Sequence, residues 1–133
     1  MIKRWWQNHG FGIESRTDYA FLHDVIRENL PYYAYEDIER SNPLASDKEL
    51  RILKLIFRVK NYFHGGNVTV VDADTTLPHY HGYNAIIVRG NLSTSDLWQD
   101  ILNQKSITYD MVTLGIAIFD ADRYPEHYKI LEP

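Results

Sequence analysis

Cysteine is absent from the 133 residues. Disulfides, thiolate metal sites and a cysteine nucleophile are therefore excluded, and a reducing compartment is the expected setting. No apolar run approaches the ~20 residues that span a bilayer. The opening Met1-Ile-Lys-Arg-Trp-Trp-Gln has two basic residues but no apolar stretch behind them, so no secretory signal is read there. These absences predict a cytoplasmic protein with no membrane association. Phosphate-loop (G-x-x-x-x-G-K-S/T) and nucleophile-elbow (G-x-S-x-G) patterns are also missing. Basic residues thin out in the second half. Residues 67–133 hold 4 basic and 9 acidic side chains, a net of −5, against 10 and 9 in residues 1–66, a net of +1. Phosphates would be repelled by that half, which disfavours nucleic acid there and suits a cation or a basic protein.

What is present is an ordinary globular composition. Apolar residues are 44% and charged residues 24%, enough to bury a core and to argue against disorder. One domain over 1–133 is the simplest reading, and no linker divides it.

Hydrophobic periodicity supplies the elements. Ser15–Leu30 reads as a helix with Phe21, Leu22, Val25, Ile26 and Leu30 on one face and Pro31 as its stop. A tyrosine-rich connector follows, with Tyr32, Tyr33, Tyr35, Glu36 and Asp37, and a short helical turn around 35–41. Ser46-Asp47-Lys48-Glu49 matches the capping box that opens a second helix, Ser46–Phe63. Lys48, Arg51, Lys54 and Arg58 fall together on the side away from its apolar face. Strands are expected at 67–72, 83–89 and 111–119, with a helix over 93–104 and a short edge strand near Lys129-Ile130-Leu131. The fold class is α+β: two N-terminal helices packed on a three- to four-stranded mixed sheet with one further helix, in the order α-α-β-β-α-β.

Strands 67–72 and 83–89, taken as an antiparallel pair, put Asp72, Asp74, His79 and His81 at their connecting end. A right-handed crossover through the 93–104 helix would make 111–119 parallel to 83–89. Asp120 and Asp122 would then leave the sheet at the opposite end, so the two Asp-Ala-Asp segments could share a site only if 111–119 ran antiparallel.

Three functions compete. The acidic second half, ten tyrosines and three tryptophans suit an interaction protein that binds and neutralises a basic protein partner. This character resembles that of bacterial immunity and antitoxin-like proteins. Tyr32, Tyr33, Tyr35, Glu36, Asp37, Asp72, Asp74, Asp120 and Asp122 are the expected contacts, with no cofactor. The alternative is a metal-dependent hydrolase or nuclease in which His79, His81 and Asp74 hold zinc or manganese. His79-x-His81 resembles the opening of the cupin metal motif. Residues 82–86 lack the glutamate that motif requires, and the helical first half departs from that fold. The third is a nucleic-acid-binding domain using Lys48, Arg51, Lys54 and Arg58 with Trp5 and Trp6.

Overall fold

Phe21, Leu22, Val25 and Ile26 form the buried stripe of α1 (Arg16–Phe21) and of the π-helical segment Leu22–Ile26 that continues it. The wide turn closes with Arg27 N donating to Leu22 O at 2.8 Å. The computed structural model describes residues 16–27, 34–64, 66–104, 106–120 and 123–130. Outside them lie the Trp5–Trp6 cluster, the 10–12 turn, both ends of the expected 15–30 helix, Tyr32, Tyr33, Gly65, Asp122 and Leu131.

The 35–41 turn is a full helix, α2 (Ala34–Ser41). Among the described residues three helices precede the sheet, where the sequence suggests two. The third, α3 (Asp47–Tyr62), begins as its sequence predicts, with Ser46 Oγ accepting from Glu49 N at 3.1 Å. Leu55, Ile56 and Val59 bury its inner face. Its basic side is divided: Lys48 and Arg51 are exposed, whereas Lys54 and Arg58 are engaged with other elements. Arg58 is buried and donates to Val25 O at 2.6 Å and Ile26 O at 3.1 Å, capping the open carbonyls of the π-helical segment. Its third bond goes to Tyr35 Oη at 3.0 Å, and Lys54 pairs with Glu39 at 2.6 Å. The Lys54 and Arg58 half of the predicted basic stripe is thus the seat of α2.

The sheet has five strands among the described residues, against the three to four expected: β1 (Val68–Asp72), β2 (Ala85–Arg89), β3 (Ser106–Asp110), β4 (Leu114–Phe119) and β5 (Glu126–Lys129). A 3₁₀ turn (Leu92–Thr94) and α4 (Asp96–Leu102) connect β2 to β3. The spatial order is β1-β2-β4-β3-β5. β1 is parallel to β2, β3 is parallel to β5, and β4 is antiparallel to β2 and β3.

Both strand directions expected from the sequence are thus reversed. β1 and β2 are parallel, and the 73–84 segment is a crossover of about a dozen residues, the minimum for parallel neighbours. The expected 111–119 strand is a hairpin arm. It hides a turn at residues 111–113, and β3 is the unpredicted other arm. The two reversals cancel, so Asp72 and Asp120 still leave opposite ends of the sheet.

Side chains on alternate faces of the sheet find different covers. Ala85, Ile87, Tyr109 and Ile116 pack under α1 and α3. Ile86, Val88 and Ala117 pack under α4 and the crossover, with Leu77, Tyr80 and Tyr83. Trp98 lies directly on Gly115, where an added Cβ would stand 2.6 Å from the indole ring. That contact requires glycine and sets how closely α4 approaches the sheet.

The β3–β4 turn has no glycine, asparagine or proline. Asp110 Oδ1 accepts from Val112 N at 2.8 Å, and Val112 itself takes φ +70°, a left-handed conformation that crowds a β-branched side chain. Such a residue carries about 1–3 kcal/mol of strain. Val112→Gly is expected to raise stability by about 1 kcal/mol after glycine's larger chain entropy is subtracted. Chemical denaturation checks this, and a lower midpoint for the variant would contradict it.

Candidate functional site

A groove of about 580 Å³ lies at the carboxyl ends of the parallel pair β1 and β2. Its walls are the chain leaving β1, the chain leaving β2 and the first turn of α4. Asp72 and Arg89 are register partners at the two strand ends, and Ala73 N donates to Arg89 O at 2.8 Å. Gly90, at φ +127°, brings the second wall close enough that a Cβ there would stand 2.9 Å from Ala73 Cβ. Ser95 ties the walls together. Its hydroxyl donates to Ala73 O at 2.5 Å and accepts from Trp98 N at 3.0 Å, so the helix cap also fixes the start of the crossover.

Asp72, Asp74 and Asp96 line this groove. Among the described residues, no ion pair or side-chain hydrogen bond engages any of the three carboxylates. Among the described residues Arg89 is the one cation lining it, and Glu49 neutralises it through contacts of 2.8 and 2.6 Å. Glu49 thereby departs from the full capping box: its carboxylate reaches across to β2 rather than back to the helix start. The groove is left with uncompensated negative charge.

A smaller cleft of about 200 Å³ shares Thr75, Thr76, Asp96 and Leu97 with the groove and continues it toward Asp100. Tyr80 closes its far side. The phenol donates to Asp100 at 2.5 Å, and the ring stacks on Phe119 with centroids 5.9 Å apart. Burial, followed by the Asp100 carboxylate, pushes the Tyr80 hydroxyl up to about 12.

The structure divides the predicted site residues. Asp72 and Asp74 share the groove, joined by Asp96, with Asp100 in the adjoining cleft. Asp96 is not among the site residues expected from the sequence. His79 and His81 lie far along the crossover, just before Gly82, whose carbonyl accepts from Asn67 Nδ2 at 3.0 Å beside the start of β1. Asp72 is at the other end of β1, about 13 Å away at ~3.3 Å per residue. The two imidazoles face each other with centroids 6.0 Å apart. Among the described residues, no three histidine, aspartate or glutamate side chains form a group that could hold a metal ion. The expected His79, His81 and Asp74 set is not brought together, because the loop is a crossover and not a hairpin turn.

Tyr35 is half-buried against Phe57, with Lys54 Nζ 5.1 Å from its ring centroid, so it is a packing residue of α2. Glu36 and Asp37 are exposed and sit beside Arg40 at 4.0 and 2.9 Å. Asp120 lies at the far end of the sheet, lining a cleft of about 130 Å³ with Asp18, Tyr109 and Arg123.

The polar groups at that far end are engaged with one another. The buried Asp18 carboxylate takes Arg123 at 2.5 and 3.1 Å and Tyr128 Oη at 2.6 Å, while Tyr109 Oη donates to the Asp18 carbonyl at 3.2 Å. Burial is the first cause raising both tyrosine hydroxyls well above 10. Asp18 acts next on Tyr109, by its charge, and on Tyr128, by its hydrogen bond. The folded state therefore holds two phenol protons that the unfolded chain releases above about pH 10. Stability is expected to be complete below pH 10 and to fall above it, approaching ~1.4 kcal/mol per pH unit for each tyrosine. Urea midpoints measured across pH 8 to 11 check this; a flat profile would contradict it.

No protein-family model, curated protein or solved structure matches this chain. Among the described residues, no helix is long and apolar enough to cross a membrane.

Proposed function

We propose that this is a small cytoplasmic interaction protein that captures a basic protein partner and neutralises it, as inhibitors of the immunity or antitoxin type do. One observation carries the reading: Asp72, Asp74 and Asp96 line a groove whose one lining cation among the described residues, Arg89, is already neutralised by Glu49. Uncompensated carboxylates in a concave site focus a negative field. Lysine and arginine side chains are drawn to such a field and phosphates are repelled. Association guided in this way is fast and weakens with salt.

The test compares the wild-type protein with Asp72→Asn/Asp74→Asn/Asp96→Asn, each immobilised in extract of the native host. The wild type should retain a lysine- or arginine-rich protein that is released at about 0.5 M salt, where charges separated by more than ~4 Å are screened. The variant should retain it at least ~10-fold less with its thermal unfolding unchanged. Equal retention by both proteins would remove the groove from the reading.

A further inference from the structure

β1 and β5 are the two edges of the sheet, and they differ in how they meet solvent. β5 is guarded: Pro125 precedes it, and Glu126 and Lys129 stand exposed at its ends. Charges and proline of this kind block the approach of another strand. β1 reads Val-Thr-Val-Val-Asp, with three β-branched apolar residues and no lysine, proline or charge before Asp72.

The backbone of β1 has an inner and an outer set of hydrogen-bonding groups. Asn67 O accepts from Asn84 N and Ala73 N donates to Arg89 O, so odd-numbered positions bond toward β2. By the two-residue period, the N–H and C=O of Val68 and Val70 point away from the sheet. Among the described residues no strand pairs with that outer side. The same edge runs directly into the acidic groove, since Asp72 ends β1 and Asp74 lies two residues beyond.

We propose that the partner supplies an extended basic segment that adds a strand to the outer edge of β1 and places its cationic side chains by Asp72 and Asp74. Main-chain bonds to Val68 and Val70 give such a segment its grip, and the carboxylates select its charge. A second copy of this chain fits the edge less well. Antiparallel pairing centred on Val70 sets Asp72 opposite Val68 and Asp74 opposite Gly66 of the other copy, and brings no cation to either carboxylate. This inference rests on the groove being the partner-facing surface.

The probe is a synthetic Lys-Val-Lys-Val-Lys-Val peptide, blocked at both ends, beside a version N-methylated at alternate backbone amides. N-methylation removes strand hydrogen bonds and keeps the charge. Binding and amide hydrogen exchange are measured with each peptide on the wild-type protein and on Asp72→Asn/Asp74→Asn. The unmodified peptide should slow exchange at Val68 and Val70 by about 10-fold or more and bind about 10-fold tighter than the N-methylated one. It should weaken on the Asp72→Asn/Asp74→Asn protein. Equal binding of the two peptides without protection of Val68 and Val70 would overturn strand addition and leave the groove reading standing. Binding that ignores the aspartate substitutions would overturn both. Protection of Val68 and Val70 before any peptide is added, in a protein that sediments as a dimer, would give the edge to a second copy and overturn the proposal.

Discussion

Asp18→Ala is expected to lower stability by about 2–3 kcal/mol, the cost of removing a buried carboxylate that accepts several charge-assisted and phenolic hydrogen bonds. Asp18 is 2% exposed and takes both Arg123 nitrogens and the Tyr128 hydroxyl. These bonds fasten α1 to the segment leading into β5 across more than a hundred residues of sequence. Removing the carboxylate takes a bidentate acceptor from Arg123, whose side chain is 26% exposed, and strands the buried Tyr128 hydroxyl. The paired variant Asp18→Leu/Arg123→Met removes both charges together and should recover most of the loss. Denaturant unfolding of Asp18→Leu, Arg123→Met and the pair forms a double-mutant cycle. A single-variant loss below about 1 kcal/mol would show that the network is incidental.

Arg58→Ala is expected to cost about 3 kcal/mol, whereas Arg51→Ala on the same helix should fall within about 0.5 kcal/mol. Arg58 donates to two carbonyls at the end of the π-helical segment and to Tyr35, and its removal strands those buried acceptors. Part of the loss is returned at Arg27. Burial first, then repulsion from Arg58, lowers the Arg27 guanidinium to about 10, and Arg58→Ala relieves the second of these. Arg51 is exposed. Thermal unfolding of the two variants separates the cases, and equal losses would mean that the basic side of α3 acts as one solvated surface after all.

These two residues also show where sequence reasoning stops. The helical period around Leu55, Ile56 and Val59 was legible, as was the Ser46 cap, because both are local. Arg58 read as one member of a basic stripe, since nothing near it in sequence reveals that two carbonyls from residues 25 and 26 await it. The β3–β4 turn was hidden for a different reason. Its left-handed position is filled by Val112, and the turn is closed by the Asp110 side chain. The consequence for the site was larger. With β3 unseen and β1 and β2 taken as antiparallel, the histidines and Asp74 seemed to share a loop end. Parallel pairing instead sends the chain back along the sheet, takes His79 and His81 to the far side, and brings α4 up to Asp72 and Asp74. Asp96 joins the site only through that crossover, so no spacing in the sequence could have placed it there.

The acidic ends of β1 and β2 as the surface that receives a cationic partner are tested most directly by amide chemical shifts. Isotope-labelled protein is titrated with a blocked hexalysine peptide at low and high salt. Shifts at residues 72–76 and 91–97 that fade with salt are predicted, while 36–40 and Asp120 stay in place. Shifts centred on 36–40 or Asp120, or none at low salt, would contradict the account.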